Sequence, residues 1–293
     1  MNAVYAALNL IFIVLFAPLL DGIERKVKAR LQSRQGPPLI QTWLDLLKLF
    51  RRPNVRPRES VRWLFEPAPA IALVSVLAAS LFIPSLLPGS LDTWGDIIAF
   101  IYLSTLSAVA IALGAFSTGS AYAQIGSHRE VSIIMAEEFS LAFIVAALAA
   151  SSGGLSFSRL FPLQLKVSTI TGALAFAVMA YVAGARIPFD VAEAEPEIVE
   201  GPFIEFSGKG LGMLKLSIYV KRLLLTTILL NFFLPQDGTV RVLVYVIGLV
   251  IISVVYASIE AHYGRFRTKD AARFLKRFAI VGILSWILGV VGW

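Results

Sequence analysis

Apolar residues along this chain fall into long blocks rather than alternating with polar ones. The blocks lie at about residues 2–20, 68–87, 97–116, 130–150, 168–184, 212–233, 241–260 and 277–292. A helix of about 20 apolar residues rises about 30 Å, the thickness of a bilayer's hydrocarbon core. The pattern therefore predicts an all-α integral membrane protein with about eight transmembrane helices. No positive residue precedes the first block and no small-residue cleavage site follows it, so it is read as a retained span rather than a signal peptide. Several blocks are interrupted by Gly, Ser or Pro, which suits close helix packing in lipid. Without a fixed-period repeat or a low-complexity linker, residues 1–293 parse as one polytopic domain.

The first polar stretch, DGIERKVKARLQSRQGPPLIQTWLDLLKLFRRP, is amphipathic. Its first part is expected to continue the opening helix until Gly36, Pro37 and Pro38 stop it. Its second part, residues 39–50, places Ile40, Trp43, Leu44, Leu47 and Phe50 at helical spacing. Such a stripe suits either a membrane surface or a partner helix, and periodicity leaves both open. Lysine and arginine then set the orientation. Loop 21–67 carries Arg25, Lys26, Lys28, Arg30, Arg34, Lys48, Arg51, Arg52, Arg56, Arg58 and Arg62, and the loop before the last span is also basic, whereas residues 88–96 and 234–239 carry neither lysine nor arginine. Both basic loops are expected on the cytoplasmic side and both termini outside.

One loop has the opposite character. Between Arg186 and Lys215, RIPFDVAEAEPEIVEGPFIEFSGKG brings Asp190, Glu193, Glu195, Glu197, Glu200 and Glu205 close together in sequence. Were it helical, Asp190, Glu193, Glu197 and Glu200 would share a face, with Pro196 splitting the ladder into two short pieces. Composition leaves open a solvated acidic loop and a proton or docking site. Loops 21–67 and 185–215, opposite in charge on one side, are expected to pack together or to receive the same partner.

Charges inside the spans are few. Glu137 and Glu138 fall about eight residues into the fourth predicted span, roughly 12 Å deep at the helical rise, and Lys221 and Arg222 lie about as far into the sixth. A buried carboxylate costs a few kcal/mol unless paired, neutralised or wetted. An acid–base pair serving proton movement and a structural ion pair are both available, and a small shift of the helix ends would instead let these groups snorkel to the interface.

Composition narrows the chemistry. The 293 residues are 57% hydrophobic and 15% charged, with mean hydropathy +0.78, no cysteine and two histidines. Disulfides, thiolate–metal sites and cysteine-ligated iron–sulfur clusters are excluded, and the spacing of His128 and His262 matches no zinc or haem motif. Electron transfer, if any, belongs to a partner. The net charge of +7 flanks apolar spans, which suits a lipid surface rather than nucleic acid. No phosphate-cradling glycine loop or nucleophilic triad spacing is present.

Two stretches carry a family resemblance. GIERKVKARLQSRQGPPLIQTWLDLLKLF resembles the surface helix and loop of the heel subunit of the complex I membrane arm, the subunit 1 or H family, and RIPFDVAEAEPEIVEGPFIEFSG is similar to its second signature. Within that superfamily, Glu200-Gly201-Pro202, Tyr219-Val220-Lys221 and TGSAYAQIGSHREVSIIMAEEFSLAF look like the membrane-bound nickel–iron hydrogenase branch, with His128 as a departure. The resemblance implies eight spans and a coupling subunit of a prokaryotic cell-membrane complex, with no redox centre of its own. Its implied partners are the hydrogenase large and small subunits and iron–sulfur protein of a soluble arm, which hold the nickel–iron centre and clusters, together with antiporter-like membrane subunits. Glu138 would be the buried acid of the fourth span. With Glu137, Asp190, Glu193, Glu195, Glu197, Glu200 and Glu205 it would form the coupling path, tuned by Lys221, while Arg25, Arg30, Arg34, Asp45 and Arg186 would serve docking. The alternative is the quinone-site subunit of a complex I-like reductase; a stand-alone transporter lacks the expected internal repeat.

Overall fold

In the computed structural model, which describes residues 2–87, 96–164, 166–234 and 239–292, twelve α-helices carry the described chain: α1 Asn2–Leu31, α2 Gln41–Phe50, α3 Arg62–Phe65, α4 Ala68–Ser80, α5 Ile97–Phe116, α6 Ala121–Ser152, α7 Phe157–Leu160, α8 Val167–Ala183, α9 Glu195–Ile198, α10 Gly208–Asn231, α11 Thr239–His262 and α12 Thr268–Val291. Each of the eight predicted apolar runs falls on a helix. Among the described residues, six helices are long and apolar enough to cross a membrane, with Arg62–Ser80 taken as one. The other two differ for physical reasons. Helix α8 has only 17 residues, and α10 carries Lys209, Lys215, Lys221 and Arg222 along an otherwise apolar sequence.

Local chemistry explains the helix ends. Asp96 caps α5 by accepting from the Ala99 amide at 2.7 Å, and Gly153 ends α6 at φ 73°, a left-handed cap that glycine adopts without a Cβ clash. Helix α1 runs without a break from the apolar block into the basic stretch and stops at Leu31, ahead of Gly36 and the two prolines. Helix α2 then folds back against α1 and α10. It buries Thr42 and Leu46 and leaves Ile40, Leu44 and Leu47 of the predicted stripe exposed, while Trp43 and Phe50 are partly buried and Phe50 packs on the core. Trp43 Nε1 donates to the Leu15 carbonyl at 3.1 Å, tying this helix across α1.

The helices pack as α12 on α6 and α8, α4 on α5 and α10, and α1 on α10 and α11. The α6–α12 seam depends on small residues: Gly282 meets Phe143 and Ile144, Gly289 meets Ser151 and Ala147, and Ser140 Oγ donates to the Leu275 carbonyl at 2.9 Å. Phe157, Phe161, Phe176 and Phe232 form an aromatic cluster with ring centroids 5.3 to 5.6 Å apart. By contrast, α11 exposes Leu243, Ile247, Ile251 and Val255 along one side, as a lipid-facing helix should. This is a multi-pass membrane protein.

One helix boundary changes the reading of the interior. The fourth span was expected to start near residue 130, yet α6 begins at Ala121 and has 32 residues. That length rises about 48 Å, well beyond a hydrocarbon core of about 30 Å. Glu137 therefore sits midway along the helix, and Glu130, expected at its tip, lies well inside it.

Candidate functional site

Two linked polar clusters lie beneath the loop between α8 and α10. The first is an ion-pair network. Arg186 donates to both oxygens of Glu24, at 2.5 and 2.8 Å, and to Glu260 Oε1 at 3.0 Å. The side chains of Arg186, Glu24 and Glu260 are 2%, 3% and 4% exposed. Lys28 closes on the other oxygen of Glu260, and the guanidinium lies 5.1 Å from the ring centroid of Tyr256. Burial disfavours the Arg186 charge, but Glu24 and then Glu260 outweigh it and hold the group above its ordinary pKa. Arg186 was expected to dock a partner. Its burial makes it instead the pin that joins the loop to α1 and α11.

Arg222 extends this network. Its Nε and Nη2 donate to the carbonyls of Gly184 and Ala185 at 2.6 and 3.0 Å, and its Nη1 lies 3.6 Å from Asp21. The expected pairing of Arg222 with the acids of the fourth span is therefore not formed. Asp21 also accepts from Thr42 at 2.8 Å, and Arg25 pairs with Asp45 at 3.0 Å, so α2 is held by the same polar face of α1. Arg30 and Arg34 are exposed and stay available to a partner.

The second cluster surrounds a cavity of about 40 Å³ whose wall includes Ser107, Glu130, Glu193, Phe203 and Lys221. Glu130 and Glu137 are two helical turns apart on α6, and both face the charge of Lys221 across from α10. The geometry reverses one expectation. Glu137 is the inward acid, at 7% exposure, whereas Glu138 points outward, accepts from Thr105 and lines a groove between α5 and α6. The 100° rotation between neighbouring helical positions decides which carboxylate turns inward, towards the charge of Lys221. Glu130 escaped sequence reading because the apolar block begins at residue 130; its position one turn before Ile133 and two before Glu137 was the available signal. Ser127, on the same stripe, has a fully buried hydroxyl with no hydrogen-bond partner among the described residues.

The acidic loop does not present one face. Only α9 and the 3-10 turn Gly201–Phe203 are regular, and Pro196 lies within α9 instead of dividing two helices. The carboxylates diverge. Asp190 is held by Arg265 at 2.6 and 2.8 Å, Glu197 by Arg129 at 2.7 Å, and Glu193 and Glu200 lie 3.7 and 4.0 Å from Lys215. Glu205 is half-buried and forms no ion pair among the described residues, and the Glu195 side chain is outside the described ones. Burial pushes Asp190 above the usual carboxylate range against the opposing pull of Arg265, while the Arg129 hydrogen bond holds Glu197 below it. As expected, loops 21–67 and 185–215 pack together: besides the Arg186–Glu24 ion pair, the Val55 amide donates to Ser207 Oγ at 2.8 Å and the Gly210 amide to Asn54 Oδ1 at 2.9 Å.

The Glu197–Arg129 pair is open to solvent, so Glu197→Gln is expected to leave thermal stability of the purified protein unchanged at pH 7. Its lowered folded-state pKa means that whatever the pair contributes is present above the unfolded value near 4.3 and is lost on acidification. A clear drop in melting temperature at pH 7 would contradict the exposed geometry.

Comparison with known proteins places this arrangement. The family model described as NADH dehydrogenase matches residues 4–291. The chain belongs to the NADH dehydrogenase family, as its subunit 1 members do. Within this family it is 31% identical to formate hydrogenlyase subunit 4 of Escherichia coli (strain K12) over 242 residues, covering 80% of this chain and 78% of the relative. It is 32% identical to hydrogenase-4 component C of the same strain, covering 79% and 75%, and 32% identical to NADH-ubiquinone oxidoreductase chain 1 of Xenopus laevis, covering 89% and 85%. Among solved structures, a chain of the membrane-bound sulfane sulfur reductase, an archaeal respiratory membrane complex, superposes with TM-score 0.88 at 26% identity, covering 98% of this chain and 99% of that one. These relatives are subunits of oxidoreductase complexes. The chain is thus a membrane subunit of a complex I-like or hydrogenase-type assembly, and other subunits accompany it.

Proposed function

We propose that this chain is the non-redox anchor and coupling subunit of a membrane-bound nickel–iron hydrogenase. It would link electron transfer and hydrogen evolution in a docked soluble arm to ion translocation across a prokaryotic cell membrane. The docked arm would comprise the hydrogenase large and small subunits and an iron–sulfur protein, and antiporter-like subunits would lie alongside in the membrane. The nickel–iron centre and iron–sulfur clusters belong to those partners. Eight crossings, with both termini outside, place loops 21–67 and 185–215 together on the cytoplasmic face, where Arg30 and Arg34 are free to dock.

The observation that carries the reading is the polar line from the loop into the membrane. Glu193 and Glu200 share Lys215, and Glu193 also borders the cavity that holds Glu130 and Lys221, with Glu137 two turns deeper. A charge change at the loop acts on these groups through a low-dielectric interior, where Coulomb forces reach far. Asp190, Glu195, Glu197 and Glu205 shape the field of the loop, and Glu138, with Thr105 on the outer side of α6, hands the path to a neighbouring subunit. The cavity beside Lys221, about 40 Å³, admits water rather than an organic ligand, whose pockets run to about 300 Å³ and more. The second reading, a quinone-site subunit, is favoured by the longer match to the Xenopus relative.

Hydrogen evolution from a low-potential donor, by the complex isolated through a tag on this chain, tests the assignment. Activity with nickel and iron in the eluate supports it; quinone reduction without hydrogenase activity moves the chain to the second reading. In vesicles, Glu137→Gln is expected to lower proton translocation per hydrogen by about tenfold or more, because a glutamine cannot exchange a proton. Unchanged translocation would remove Glu137 from the path.

A further inference from the structure

Lys221 differs from every other cation near the site in having no partner at close range. Arg186, Arg222 and Lys215 each hold a carboxylate within 4.0 Å, whereas Lys221 makes no hydrogen bond or ion pair within that distance among the described residues. It faces the 40 Å³ cavity together with Ser107 of α5, Glu130 of α6 and Glu193 of the loop, with Glu137 on α6 also acting on it. About 10–15 Å³ of such space accommodates one water. The cavity therefore has room for a few waters among the groups that Lys221, Glu130 and Glu193 supply to its wall.

A lysine that only balanced charge would close on an acid, as Lys215 and Lys28 do. A lysine that lines one water-sized cavity with two acids, without closing on either, is placed to exchange a proton. An ammonium can give up a proton to a neighbouring group, whereas a guanidinium stays charged. We propose that Lys221 is itself a proton carrier between the loop and the membrane interior, and that the ion relayed here is the proton rather than sodium. In the forward step an N–H bond of the ammonium breaks and, through water, an O–H bond forms on Glu130, leaving an amine and a carboxylic acid. The amine then takes the proton of a protonated Glu193, restoring the ammonium and leaving a carboxylate. Both steps conserve protons and need no other reactant. A sodium ion in the same cavity would meet the ammonium's repulsion in place of the converging oxygens that hard cations require.

This inference rests on the coupling reading above, and the experiment separates the two. The complete complex, reconstituted in vesicles, is driven with a low-potential electron donor while internal pH and hydrogen are followed for wild type, Lys221→Arg and Lys221→His. Co-purification of the partner subunits reports assembly. Lys221→Arg is expected to keep assembly and electron transfer but to lose proton movement at least ~10-fold, since its charge is fixed. Lys221→His is expected to retain part of the movement near pH 6.5 and to lose it towards pH 8.5. Full proton movement in Lys221→Arg overturns the inference and makes Lys221 a fixed counter-charge. Should the arginine variant fail to assemble, an unshifted pH profile in Lys221→His overturns it instead. Transport that depends on sodium and persists with a protonophore also overturns it. A wild-type complex that evolves hydrogen but moves no ion would defeat the coupling reading itself.

Discussion

Replacing Arg186 with alanine is expected to destabilise the protein by about 3–5 kcal/mol, the range found when one partner of a buried ion pair is removed. The guanidinium neutralises two carboxylates, Glu24 and Glu260, in a site where all three side chains are at most 4% exposed. Without it, Lys28 still reaches Glu260, but Glu24 is left charged and unpaired. The loop would also lose its link to α1 and α11. Thermal unfolding in detergent and the yield of assembled complex measure this. Arg186→Lys is a useful second variant, because it keeps the charge and loses the two-pronged geometry, so it should fall between wild type and alanine. An alanine variant as stable as wild type would mean that water enters the network freely.

The second large effect is expected at Gly201. Val199, Glu200 and Gly201 follow one another at φ 48°, 64° and 46°, a left-handed run that side chains resist by about 1–2 kcal/mol per residue. Gly201 is additionally wedged: a Cβ there would lie 2.2 Å from the Ala192 carbonyl oxygen and 3.2 Å from the Cα of Gly126. The Ile198 side chain, 3.0 Å from the same point, could turn aside, but the Ala192 carbonyl at 2.2 Å is backbone and could not. Gly201→Ala should therefore cost about 2 kcal/mol or more and unseat the turn that sets Glu193 and Glu200 beside Lys215, with coupling lost even where the complex assembles. Gly119→Ala is the control, since Gly119 has φ +73° but no heavy atom within 4 Å of its Cβ position. Equal effects at the two sites would show that the left-handed conformation matters and the close approach does not.

These two positions illustrate what can be read along the chain and what cannot. Arg186 and the six acids were visible as an unusual cluster, and so was the pair of basic and acidic loops. Their partners were not. Glu24 and Glu260 lie in α1 and α11, 162 and 74 positions from Arg186, and no local pattern ties such positions together. The one-face ladder failed because it assumed helix where the chain makes a short turn and a left-handed run. Glu130 was missed because a polar residue at the edge of an apolar block looks like the end of a span.

The sequence by itself determined the membrane class, the helices, the amphipathic α2 and the family, because these follow from local hydropathy, helical period and contiguous motifs. Only the tertiary structure decided that Glu137 rather than Glu138 turns inward, that Arg186 is a buried pin, and that Lys221 and Glu130 line one cavity without forming an ion pair. Those facts depend on helix rotation and on pairs far apart in sequence. A 100° turn between neighbours changes the environment of a side chain without altering any hydropathy average.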